Sequence, residues 1–545
     1  MQKISWLLMM GLWGAIIRAQ DDYYFQWAKQ IEILSSISEQ LLNNYIEEPN
    51  PEILMNDAIK GMLSETDRFT RFYTEQQMFD QRLRQAGKFS GIGVKVFNHK
   101  EGLAVTEVFD DSPAMKAGLE IGDVIIRVEG KDLKDLPYKA KKDLLGGKAG
   151  SEVEITIRRL NKEQTLKVRR AVIRINAVSY YAMLGDGKTG YLKLDKFTKT
   201  AAREIQDAFV DLKQKGMEKL ILDLRGNPGG LLNQAIKIVN LFLPAQTLVV
   251  KTEGRFERFN KKYYTRDEAL DENIPLVILV NGRSASASEI VSGALQDYDR
   301  AVIVGDTTYG KGLVQRFFPL KYGTYVKITI SKYYIPSGRQ IQKIDYWHRD
   351  ESGKPSRFKR DKHKVFYTFN KRKVYEHGGI APDIRIPSDT LFPLVKALRN
   401  QNILFDFNTV FRARNPQLDP DTLLQIPLIP ELIQYMKKNK LDPETASEKQ
   451  LDDMMEKLRK EISAKDLMEQ WKISAEKLDH AQMKALQNNA AIKQQIRILL
   501  LSDLLLRFAG TDKQYDFKLK NDPAIKKALE ILNDQKKYNK LLNRK

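Results

Sequence analysis

The chain of 545 residues contains no cysteine. That excludes disulfide bridges, thiol nucleophiles and cysteine-ligated metals, so stability has to come from packed cores. Histidine is nearly as scarce, at five residues. Long apolar runs are also missing. Ile4 to Ile17 supplies about fourteen largely apolar residues, short of the roughly twenty that span a bilayer, and Arg497, Asp503 and Arg507 interrupt the greasy segment Ile496 to Phe508. No basic block stands out either. The net charge of +20 arises from 90 Lys and Arg spread among 70 Asp and Glu, a solvated surface rather than a nucleic-acid footprint.

What is present begins with an export pattern. Lys3, the apolar stretch, Ala19 and the acidic Asp21-Asp22 read as a secretory signal peptide over residues 1–19, which predicts an exported, periplasmic protein with no membrane span after its removal. Residues 20–87 read as a helical region, with Ile31, Leu34, Ile37, Leu41 and Leu42 on one stripe and a second helix over Ile53 to Leu63 after Pro51. From Phe89 the texture changes to short β-like runs, GIGVKVF, LAVTEVF, DVIIRVEG and VEITIRRL. Between Ala177 and about Pro387 strands alternate with helices, the mark of an α/β domain. The last part, 390–545, carries Leu451, Met454, Met455, Leu458 and Ile462 at helical spacing and reads as a helical extension. Its role is open between docking on the core, forming a homo-oligomer and recruiting an adaptor.

Two stretches carry chemistry. In Phe89-Ser90-Gly91-Ile92-Gly93 the two glycines let backbone amides converge, as a loop that grips a chain-terminal carboxylate requires. Together with SPAMKAGLEIGDVIIRVEG, it resembles a PDZ domain over residues 88–171. The resemblance implies that an extended peptide tail binds with its carboxylate at Phe89, Gly91, Ile92 and Gly93.

The second stretch, NGRSASASEIVSGALQDYD, places Ser284, Ser286 and Ser288 at alternate positions. Ser286-Ala287-Ser288-Glu289 is also a capping box, so a helix start explains it without catalysis. Strand, sharp turn and helix N-terminus, however, also hold a nucleophile beside a backbone amide and a positive helix end. Downstream, AVIVGDTTYGKGLVQ sets Lys311 between glycines with Gln315 four residues later. A lysine is a general base only when neutral, which demands a site dry enough to lower its pKa. Ser–Lys pairs are a known form of nucleophile and base.

With DLRGNPGG at 223–230, SASASEI, Gly310-Lys311-Gly312 through Gln315, YYIPSGR at 333–339, and Gly378-Gly379-Ile380 with Pro382-Asp383, the chain is similar to the carboxy-terminal processing peptidases, the tail-specific group of the S41 serine peptidases. The resemblance implies an α/β and α+β multidomain protein: a crotonase-like ββα peptidase core over 172–389, an inserted PDZ domain, an N-terminal helical cap and a C-terminal helical extension. It further implies Ser286 as nucleophile, Lys311 as base and Gln315 as support for the lysine. The implied oxyanion hole is the amide of Ala287 with that of Gly230, or alternatively Gly229, and Glu289, Asp297 and Thr308 fall at supporting positions. No metal or cofactor is implied, and the partners are protein or peptide substrates bound through their C-terminal tails. The alternative is a non-catalytic PDZ-containing binding protein on the same scaffold; the intact Ser286 and Lys311 count against it. His377 beside a glycine pair is a loop residue in this reading, not a third catalytic group.

Overall fold

The computed structural model describes residues 2–358, 364–387, 391–461 and 482–544, with the side chains of 2–21 and 459–461 left aside. Asp389, the expected end of the peptidase core, and Ile462 of the expected helical stripe lie outside them. The chain forms two compact units, one of residues up to Tyr73 with Phe317–Ile328 and one of all the rest.

In the smaller unit, helix Gln2–Asn44 is followed by helix Pro51–Ser64. The second starts on Asn50, whose side chain accepts from the Ile53 amide at 3.1 Å, and Pro51 occupies the first turn where no amide is needed. The sequence predicts helix throughout 20–87, but strand Arg71–Tyr73 interrupts it and pairs with Tyr325–Lys327. The cause is local: once the helix has ended at Ser64, Asp67 accepts from the amides of Phe69 and Thr70, an Asx turn that leads into β-favouring Thr70, Phe72 and Tyr73. No helix among the described residues is long and apolar enough to cross a membrane.

Among the described residues, the larger unit packs around several cores. The first is a β domain with sheet order Val94–His99, Gly102–Val108, Val124–Val128, Glu152–Arg159, Lys162–Arg169, closed over Leu103, Ile125, Ile155 and their neighbours. The chain enters and leaves it through one antiparallel pair, Lys88–Gly91 with Ala171–Arg174.

The second core surrounds a six-stranded sheet in the order Val178–Met183, Thr189–Leu194, Lys219–Asp223, Leu276–Val280, Val302–Gly305, Ile384–Arg385, parallel after its first pair. Leu276–Val280 is buried at every residue, as a parallel strand covered on both faces must be, and each such side chain contributes roughly 1.5–3 kcal/mol. Helices Ala201–Gln214, Leu232–Asn240 and Ala287–Asp297 cover one face. The other face is covered by the chain's last helices, Pro523–Asn533 and Gln535–Leu541, through Ile525, Ala528, Ile531 and Tyr538. So the end of the helical extension docks on the core.

The third core is a helical bundle in which Ile403–Arg414, Leu428–Lys438 and Ala490–Asn521 pack around Phe407, Phe411, Leu432, Leu500 and Leu504. From it Phe405 inserts between Ala104, Val124 and Ile126 of the β domain, while His99 Nε2 lies 3.3 Å from Asp406. The bundle thereby holds the β domain by its sheet.

Candidate active site

Strand Lys219–Asp223 ends in a turn whose hub is Asn227, fully buried. Its side-chain amide donates to the Leu194 carbonyl at 2.8 Å, and its Oδ1 accepts from the Gly229 amide at 2.9 Å. Its own carbonyl accepts from the Ala285 amide at 3.0 Å and from Ser288 Oγ at 2.9 Å. Ser284 Oγ donates to Leu224 at 2.8 Å. Ser284 and Ser288 are therefore bolts that fix one turn to the other, both buried. Ser286, between them, is only half-buried.

Ser286 itself stands at φ 56°, ψ −112°, a region that a non-glycine residue occupies only under constraint. The constraint is visible. Gly229 packs so closely that a Cβ there would lie 2.9 Å from the Ser286 Cβ and 2.6 Å from the Ala285 carbonyl oxygen. One arm of the capping box is in place: the Ser286 amide donates to the Glu289 carboxylate at 2.8 Å, while the Glu289 amide donates to the Ser286 backbone carbonyl at 2.8 Å.

Glu289 does more than cap. Besides the Ser286 amide, its fully buried carboxylate accepts from Thr308 Oγ1 at 2.6 Å, the Gly310 amide at 2.6 Å and the Lys311 amide at 2.9 Å. Burial pushes this carboxyl up, while those four donors oppose the rise. Thr308 Oγ1 also accepts from the Ile380 amide at 2.6 Å, which ties in the segment Gly378-Gly379-Ile380. On the opposite side Tyr333 Oη donates to the Lys311 carbonyl at 2.6 Å and lies 3.4 Å from the Ser286 carbonyl. Ser286 and Lys311 are thus brought together by two side chains that each reach the backbone of both.

The helix end at Ser286 can receive negative charge. The amides of Ala287 and Gly230 donate to no protein acceptor among the described residues, whereas that of Gly229 is taken by Asn227. Gly230 is pressed against Phe197, where a Cβ would lie 2.3 Å from its carbonyl oxygen.

The remaining expected residues fall at differing distances from this centre. Gln315 Nε2 donates to Thr329 Oγ1 at 3.3 Å, across to the neighbouring strand. Asp297 ends the helix that Ser286 begins, about 16 Å along its axis at 1.5 Å per residue. It pairs there with buried Arg339 at 2.9 Å and accepts from the Ser337 amide at 2.9 Å, so its support reaches the site only through the helix. His377 stacks on Phe358 with ring centres 4.3 Å apart, and burial depresses its pKa. No described histidine touches Ser286; His363 and His480 lie outside the described residues.

In the β domain, the Ile92 carbonyl accepts from Ala114 at 2.8 Å and the Gly93 carbonyl from Phe109 at 3.0 Å. The amides of Ile92 and Gly93 find no protein acceptor among the described residues. Gly91 is buried and Phe89 half-buried beside them, and strand Val94–His99, which follows, is at the edge of its sheet. Asn227 and Tyr333 are the site residues that pattern reading does not single out. Both sit inside recognisable motifs, but their partners are far away in the chain.

Comparison with known proteins gives three family matches: Peptidase family S41 over residues 188–346, a PDZ domain over 90–169, and the C-terminal helical domain of probable PDZ-proteases over 394–532. A carboxy-terminal-processing protease of Bartonella bacilliformis is 36% identical over 322 residues, covering 58% of this chain and 73% of that protein. A probable CtpA-like serine protease of Staphylococcus aureus is 34% identical over 311 residues, 56% of this chain and 62% of that one. Among solved structures, a photosystem II D1 C-terminal processing protease is 27% identical, covering 64% of this chain and 85% of that one at a TM-score of 0.37, too loose to carry an argument.

Proposed function

Because the chain belongs to the carboxy-terminal-processing serine proteases of peptidase family S41, we propose that Ser286 and Lys311 form its catalytic dyad and that the PDZ domain selects substrates by their C-terminal tails. Ser286 Oγ attacks the scissile carbonyl while the neutral Lys311 amine takes its proton. The resulting ammonium protonates the leaving amine, and water then hydrolyses the acyl-enzyme by the same route in reverse. The amides of Ala287 and Gly230 face the oxyanion. Gly230 is preferred to Gly229, whose amide is already used by Asn227. Gln315 and Thr308 steady the strand and loop that carry the lysine.

The observation that supports this reading best is the carboxylate of Glu289, which accepts from the backbone amides of both Ser286 and Lys311. A helix cap needs the first of those bonds and has no use for the second. For the tail, the amides of Ile92 and Gly93 suit a carboxylate, and the edge strand Val94–His99 suits an added peptide strand. Periplasmic export, proposed from residues 1–19, puts the enzyme among envelope proteins.

The test is cleavage of a model protein with an unstructured C-terminal tail, followed by intact mass. Wild type is expected to cut near the tail, Ser286→Ala to leave the protein whole, and amidation of the tail carboxylate to slow cutting at least tenfold. Full cutting by Ser286→Ala would remove the dyad, and an unchanged rate on the amidated tail would remove the PDZ role.

A further inference from the structure

Lys311 lies outside regular secondary structure, between Gly310 and Gly312. The glycines on either side are held by neighbours, the Gly310 carbonyl accepting from the Lys343 amide at 2.9 Å and the Gly312 amide donating to Gln342 Oε1 at 2.7 Å, but no helix or sheet ladder runs through Lys311 itself. Side chains fix it. Glu289 accepts from the Lys311 amide at 2.9 Å, and Tyr333 donates to the Lys311 carbonyl at 2.6 Å. The phenol has one proton, and the shorter contact claims it; the Ser286 carbonyl at 3.4 Å lies beside the same oxygen and already accepts from the Glu289 and Ile290 amides.

We propose that Tyr333 is a positioning residue for the dyad: its hydroxyl anchors the Lys311 carbonyl and so holds the lysine in register with Ser286. Three further observations support it. Tyr333 is 1% exposed and part of the main core, so its ring is locked and the hydroxyl cannot swing away. Its own amide donates to the Gly312 carbonyl at 3.0 Å, which pins the same segment one residue on. Burial, with the Glu289 carboxylate as the charged neighbour, pushes the phenol well up, so it remains a donor at every working pH. Glu289 and Tyr333 then grip Lys311 from its two peptide groups, one as acceptor and one as donor.

This inference rests on the dyad reading, and its test separates the two. Tyr333→Phe removes one oxygen and keeps the ring. The expected result is a fall in kcat of about tenfold or more, the scale on which small misplacements of catalytic groups act, with KM within about twofold of wild type. Hydrogen exchange in the peptide spanning Gly310–Leu313 should quicken, while Tyr334→Phe, one residue along the strand, leaves both readouts unchanged. Wild-type kcat and exchange in Tyr333→Phe, with Ser286→Ala inert, would overturn the positioning role and leave the dyad standing. A Tyr333→Phe protein that fails to fold, or that loses only thermal midpoint with full activity per folded molecule, would also overturn it, since the hydroxyl would then be structural. Activity in Ser286→Ala would instead sink the dyad itself.

Discussion

At the scale of single residues, the decisive feature is the strained backbone of Ser286, held at φ 56°. Such conformations cost about 1–3 kcal/mol and persist when surroundings impose them. Here the Glu289 carboxylate and the close approach of Gly229 impose it. Gly229 stands at φ 95°, and a Cβ there would meet the Ala285 oxygen at 2.6 Å and the Ala287 nitrogen at 2.9 Å. Gly229→Ala should therefore lower kcat/KM about a hundredfold or more, since the turn must shift Ser286, the proposed nucleophile, and the adjoining amide; steady-state cleavage of a tailed substrate measures it. The spacing of the three serines at alternate positions does not by itself rank them. In the structure Ser284 and Ser288 donate to the carbonyls of Leu224 and Asn227, 60 and 61 residues upstream. The resemblance of the motifs named Ser286; the hydrogen bonds explain what Ser284 and Ser288 do instead.

At the scale of elements, the strand that ends at Asp223 shows how the site is anchored. Burial raises the Asp223 carboxyl, but Arg225 and Lys193 beside it override that effect and hold it at about 2, below its ordinary 3.8. Arg225 continues to Asp522 at 2.7 Å, the cap of helix Pro523–Asn533, so the turn and the last helices share one ionic chain. A depressed acid stabilises the fold above its unfolded pKa and loses that contribution as pH falls through the folded one. Stability should accordingly drop between about pH 4 and pH 2, and Asp223→Asn should flatten that part of the curve while lowering stability at neutral pH; urea melts across the range check both. The alternating strands and helices from Ala177 onward are legible because each carries its own apolar pattern. Strand Arg71–Tyr73 is not, because three residues are too few to show a period and its partner lies more than 250 residues later.

At the scale of the whole molecule, the helical extension has two duties that its sequence does not reveal. Its last helices close the second face of the peptidase sheet, and its bundle inserts Phe405 into the PDZ domain. An amphipathic stripe states that a face is buried but not against what, which is why the extension stays open between docking and assembly until the contacts are seen. What the architecture serves is carboxy-terminal processing by a serine protease, and the proposed base is a lysine, in a chain whose described histidines are engaged elsewhere. The measurement that bears on this most directly is kcat/KM on a tailed protein substrate for Lys311→Ala beside His377→Ala. General-base removal is expected to cost about 10²–10⁴-fold, so Lys311→Ala should fall into that range while His377→Ala stays within about twofold of wild type. Lys311→Ala cutting at the wild-type rate, or His377→Ala failing to cut while still folded, would contradict the account.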